Sequence, residues 1–159
     1  MSGPRTLSGA MIAVTATAPA TDDSAGYVGI ADWAAGEFCP NVYPVIKRAF
    51  ATVEKKTTCP GINVDIKSSS KYEPVVFAMD PSDNTVAEGI LQTAADSLVD
   101  FVYVRFTMPL REGEATNQAF YTKVQVQDFC ETKGGDEDEI DWREATMLIQ
   151  RELIKVAAT

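Results

Sequence analysis

Few side chains in this sequence could do chemistry, and their spacing does not favour catalysis. There are three cysteines, Cys39, Cys59 and Cys130, at intervals that match no zinc or redox motif. The odd count forbids complete pairing within the chain. They read either as inert, partly buried thiols or as partners in a disulfide with a neighbouring subunit. Cys39 and Cys59 each precede a proline, which favours extended or turn backbone at both. Histidine is absent altogether. That removes Ser-His-Asp and Cys-His nucleophiles, His bases and His-ligated zinc or haem from what this chain can supply alone. No G-x-S-x-G, P-loop or dinucleotide fingerprint occurs, and Gly26-Tyr27-Val28-Gly29 is too short to replace one.

The carboxylates are denser but no better organised. Asp136, Glu137, Asp138, Glu139 and Asp141 follow Gly134-Gly135 in one run. The run lacks the alternating ligands, central glycine and distal glutamate of an EF-hand loop, so it reads as a solvated turn between strands. Nothing places Asp22-Asp23, or Asp136 with Asp138, in a pocket. Lys47-Arg48 and Lys55-Lys56 are pairs rather than a patch, without the interleaved aromatics of a single-strand platform. No catalytic residue, cofactor or metal is expected.

The elements that must position these groups come from composition and patterning. The chain has 159 residues, 45% of them hydrophobic and 23% charged. That suits one globular domain spanning 1–159 and excludes disorder over most of the length. Its net charge of −9 argues against a protein that coats nucleic acid. It is compatible with one that lets nucleic acid pass without holding it. The mildly apolar stretch from Leu7 to Ala20 is no convincing signal peptide, and nothing approaches the ~20 apolar residues of a membrane span. Folding in the cytoplasm, without membrane insertion by this chain, is expected.

Residues 1–25, rich in Ser, Thr, Ala, Gly and Pro, predict an extended arm with at most one strand, near Met11–Thr17. Gly26–Ala31 is a short strand candidate, and the prolines after Cys39 and Tyr43 require loop. Ala49–Thr58 and Glu73–Met79 read as strands, separated by a break at Cys59-Pro60-Gly61 and a Gly/Ser-rich turn. Asp80-Pro81-Ser82-Asp83 predicts a helix N-terminus. The stripe Val86, Ile90, Leu91, Ala94, Ala95 and Leu98 predicts the helix itself. Gly89 inside it reads either as a close approach to a sheet or as a tolerated glycine. Val99–Thr107 and Phe120–Cys130 are the strongest strands, joined by a mobile loop from Met108 to Ala119. In the second, Phe120, Val124 and Val126 share one face and Tyr121, Lys123, Gln125 and Gln127 the other. Composition favours helix for Arg143–Val156, although the segment also alternates as a strand.

This succession is more informative than any motif. A strand near Thr57, the run Val75–Asp83, a lone helix through Leu91 and Ala95, then Val99–Thr107, Tyr121–Phe129 and a closing segment with Thr146 resembles the tail tube proteins of tailed bacteriophages. The resemblance covers roughly residues 50–156, and Tyr27–Ala31 more loosely. It implies that Arg143–Val156 is a strand, with tertiary pairing overriding helical propensity. It also implies a mainly β fold, an antiparallel β-barrel or sandwich with one flanking helix, an extended N-terminal arm and long loops.

The function implied is structural rather than enzymatic: a virion protein that assembles into rings, typically hexameric, stacked as a conduit for DNA ejection. Free sheet edges would then become ring-closing contacts. Ser2–Asp23, Glu37–Lys47 and Leu110–Asn117 would bridge to the next ring. Asp100, Glu112, Glu114 and the acids of 136–141 would be candidates for the lumen wall, repelling phosphate weakly. The partners implied are further copies of the chain, passing double-stranded DNA, and the sheath, tape measure, tail terminator and baseplate proteins of the virion. Alternatives are a tube protein of a contractile injection or type VI secretion system, or a small-ligand-binding β-barrel.

Overall fold

The computed structural model describes residues 8–55, 64–130, 137–138 and 141–157. Its centre is an antiparallel sheet in the order β2-β1-β6-β7-β8-β5. These strands are β1 (Met11–Thr15), β2 (Glu37–Phe38), β5 (Val75–Met79), β6 (Val102–Thr107), β7 (Ala119–Phe129) and β8 (Arg143–Ile149). A last strand, β9 (Ile154–Val156), pairs with the start of β7. The expected antiparallel, mainly β fold is present, but the sheet is open and does not close into a barrel.

Alternation explains the central strands. In β6, Val102, Val104 and Phe106 are buried while Tyr103, Arg105 and Thr107 are half-buried. In β7, Val124 and Val126 face the same core. A bulge between Val126 and Asp128 then resets the register, so that Phe129 returns to the buried side. Helix α2 (Thr85–Ala95) covers this face with Ala87, Leu91 and Ala94. The helix starts later than the sequence predicts. Asn84 is the cap, its Oδ1 accepting from Val86 N and Ala87 N at 3.0 Å. Asp80 instead closes a turn of its own, accepting from Ser82 N and Oγ. The predicted stripe is also only partly a core face, since Val86 and Leu98 are exposed.

The opposite face of the sheet carries a second cluster, absent from the sequence reading. Tyr121, expected on a polar face, packs with Tyr27 and Trp33. Their segment is helical, not a strand: α1 (Ser24–Val28) is capped by Asp23, which accepts from Gly26 N at 2.8 Å. A 3₁₀ turn, Ala34–Gly36, follows, and Trp33 Nε1 donates to Tyr27 O at 2.8 Å. Gly36 is required there, because a Cβ would sit 2.0 Å from Val14 O. The described part of the expected arm is therefore integrated into the body. β1 is internal to the sheet, and its Val14 is fully buried.

Arg143–Val156 is β structure, as the resemblance implies, but it divides into β8 and β9 around an irregular stretch at 150–153. β8 wins over helix because both its edges are paired, Val126↔Met147 on one side and Val75↔Met147 on the other. The loop expected to be mobile after β6 is pinned. Met108 N donates to Gln118 O at 2.9 Å, and Asn117 Nδ2 donates to Met108 O at 2.7 Å.

A separate two-stranded ribbon completes the fold. β3 (Arg48–Lys55) pairs with β4 (Val64–Tyr72) and with no strand of the main sheet. The sequence reading missed β4, taking it for a turn.

Candidate assembly interface

The ribbon has two unlike faces. Val53 lies opposite Ile66 in the register, and Val64, two residues along, shares their face with Lys55 opposite it. The three apolar residues are about half exposed, at 58%, 48% and 47%. The other face is mixed: Lys67 Nζ lies 5.1 Å from the Phe50 ring centre, while Glu54 stands opposite Asp65. Like charges facing across a ladder oppose pairing, and a lone two-stranded hairpin is at best marginal in water. The ribbon has neither a third strand nor a packed face to offset this among the described residues.

Its base is tied to the body by a small polar joint. Glu73 N donates to Lys47 O at 2.9 Å, closing the ribbon's own base, and Leu153 N of the body donates to the Tyr72 hydroxyl at 3.3 Å. Arg48 pairs with Glu152 at 3.2 Å and lies 5.9 Å from the Tyr72 ring centre. A cleft of ≈ 420 Å³ separates Tyr72 and Pro74 from Gln150.

A second uncovered apolar surface lies on α2. Its outward side, Val86, Gly89, Ile90 and Thr93, forms one wall of a groove of ≈ 590 Å³, with Phe101 across from it. Leu98 and Val99, which the sequence reading placed in a helix and a strand, are in the exposed connection beside it. Sequence reasoning missed both surfaces as sites. The signals were present: Val64-Asp65-Ile66-Lys67 alternates, and the apolar residues of α2 are too widely spread for one buried stripe.

No protein-family model matches the chain, and no curated protein is significantly similar to it.

The expected lumen acids do not form one surface on the subunit. Asp100, exposed, precedes β6, and Glu137, Asp138 and Asp141 follow β7, whose C-terminal half runs beside the start of β6. These acids therefore fall at one end of the sheet. Glu112 and Glu114 belong to the β6–β7 loop at the other end. Glu112 is exposed, whereas Glu114 turns back on its own loop, accepting from Arg111 N at 3.0 Å and pairing with Arg111 Nε at 3.3 Å. Asp141 pairs with Arg143 at 3.1 Å, and Glu88 approaches the same guanidinium at 3.6 Å. These bonds hold the Arg143 pKa above its usual value, Asp141 being the main cause. Asp136 and Glu139 lie outside the described residues, as does Cys59. Cys39 is exposed beside Pro40, and Cys130 is half-buried at the end of β7. No cluster of metal-ligating side chains occurs among the described residues.

Two aromatic–guanidinium contacts hold the second face together. Arg105 lies 5.6 Å from the Trp33 ring centre and pairs with Glu37 at 2.5 Å. Arg151 lies 5.6 Å from the Tyr27 ring centre and donates to Asp22 Oδ1 at 2.6 Å. Burial, reinforced by the Asp22 carboxylate, pushes the Tyr27 phenol up to about 12. These groups bridge chain segments and offer no nucleophile, so their chemistry is that of a fastening.

Proposed function

We propose that this chain is the structural subunit of a bacteriophage tail tube, assembling into stacked rings around a passage for DNA. The single observation that carries the reading is the β3–β4 ribbon, which leaves an apolar face without cover on a strand pair too small to be stable alone. Such an element gains its missing burial from another copy. The open sheet supports the same reading, since it ends at β2 on one side and β5 on the other, and strand edges left free on one copy can pair with the next. The resemblance in element order names the kind of assembly.

The mechanism then has no catalytic step. Contacts between different patches propagate, closing a ring when the rotation closes and a stack when it does not. A charge of −9 per copy, multiplied around a ring, opposes adsorption of a polyanion, with a range set by a screening length of about 8–10 Å near physiological salt. DNA would pass without being held. Sheath, tape measure, terminator and baseplate proteins are the partners such a tube meets.

Sedimentation velocity over a range of concentrations tests the reading. Species much larger than one chain, growing with concentration, are expected. A single 17.2 kDa boundary at the highest concentration would overturn it.

A further inference from the structure

We propose that the α2 groove of one copy receives the β3–β4 ribbon of another. This rests on the tube reading and names the surface that the ribbon occupies within it.

Three observations converge. The first is that ribbon and groove each leave apolar side chains exposed: Val53, Val64 and Ile66, beside Lys55, on one, and Val86 and Phe101 on the other. Burying such surfaces against each other is favourable roughly in proportion to the area removed from water.

The second is charge. The ribbon strands carry Arg48, Lys55, Lys67 and Lys71 against Glu54 and Asp65, a basic excess in a chain whose net charge is −9. On the groove side Asp100 lines the wall and Asp96 ends the helix, against Lys123, whose Nζ lies 4.3 Å from the Phe101 ring centre, while Glu88 is held by Arg143. Opposite balances of this kind orient an encounter and fix its register.

The third is Gly89. A mid-helix glycine costs about 1 kcal/mol relative to alanine, so close packing should explain it. Among the described residues nothing does, because a Cβ at Gly89 would meet no atom of theirs within 4 Å. The glycine instead leaves the groove wall flat, which admits the backbone of an incoming strand pair. The Val86 and Thr93 side chains flank that gap on the outward side of the helix.

The contact is heterologous, ribbon to groove, so each copy offers both halves and the chain of contacts continues. A side chain placed in the gap should block docking without harming the fold. Gly89→Leu is expected to melt at or above the wild-type temperature and to need about tenfold or more higher concentration to assemble.

Cross-linking reads the contact directly. Two full-length chains lacking native thiols (C39S, C59S, C130S) are mixed, one with Ile66→Cys and the other with Val86→Cys, and oxidised under assembly conditions. A cross-linked dimer that forms only in the mixture is expected, and its loss on adding Gly89→Leu to the Val86→Cys chain. If wild-type protein assembles but the mixture gives no dimer and Gly89→Leu assembles normally, the groove is not the ribbon's seat, while the tube reading stands. If wild-type protein stays monomeric, the tube reading fails and takes this one with it.

Discussion

Two glycines, both unremarkable in the sequence, have opposite roles. Gly36 lies against β1, where a Cβ would stand 2.0 Å from Val14 O. Gly36→Ala is expected to lower stability by roughly 1–3 kcal/mol, as overpacking does. Gly89→Ala is expected to raise it by up to about 1 kcal/mol, since its Cβ meets nothing. Urea melts of the two variants check both signs. Tyr27 gives a pH test. Its pKa is raised in the folded state from 10.0 to about 12, so the unfolded chain ionises first. The stability it contributes is fully present below pH 10 and is lost as pH rises towards 12. Thermal melts at pH 9, 10, 11 and 12 should show a falling midpoint, and Tyr27→Phe should flatten part of that decline. None of these contacts could be read from spacing, because Gly36 and Tyr27 act on residues that the fold, not the chain order, brings near.

The elements differ in how much of them the sequence discloses. β6 and β7 were legible because alternating β-branched and aromatic residues leave little else for them to be. β8 was not legible from composition. Glu144, Ala145, Met147 and Leu148 are helix formers, and pairing with β5 and β7 decides against them. For α1, Gly26 and Gly29 mask a helix that Asp23 nucleates through its cap bond to Gly26 N. β4 is hidden by Ser68-Ser69-Ser70, which resemble a turn but lie within the strand, Ser70 opposite Phe50 and Ser68-Ser69 at a register shift. The sequence discloses the main helix but sets its cap four residues early, because Asp80-Pro81 and Asn84 both offer plausible starts and only Asn84 accepts from the helix's own first N–H groups. Helix and ribbon should respond differently to mutation. Leu91→Ala, in the buried face of α2, is expected to cost about 2–5 kcal/mol. Val53→Asp and Ile66→Asp, on the exposed ribbon, should change monomer stability by only about 0.5 kcal/mol. They should nonetheless abolish large species in sedimentation. If these ribbon variants assembled normally, the apolar face would not be a contact.

On the scale of the whole molecule, the fold is an open sheet with an apolar core on one face, a fastened aromatic layer on the other, and one projecting ribbon. The mainly β architecture is legible in the sequence, whereas the closed barrel that the resemblance allows is not what this chain forms: its sheet stays open, with β2 and β5 at the edges. The candidate lumen acids among the described residues divide between two ends of the sheet on one copy, so a continuous acidic wall can arise only from the arrangement of many. Electron microscopy of the purified full-length protein at high concentration tests this most directly. The account predicts rings or hollow tubes of constant diameter with a regular axial repeat. Fields of separate particles the size of one chain, at concentrations where the protein remains folded, would contradict it.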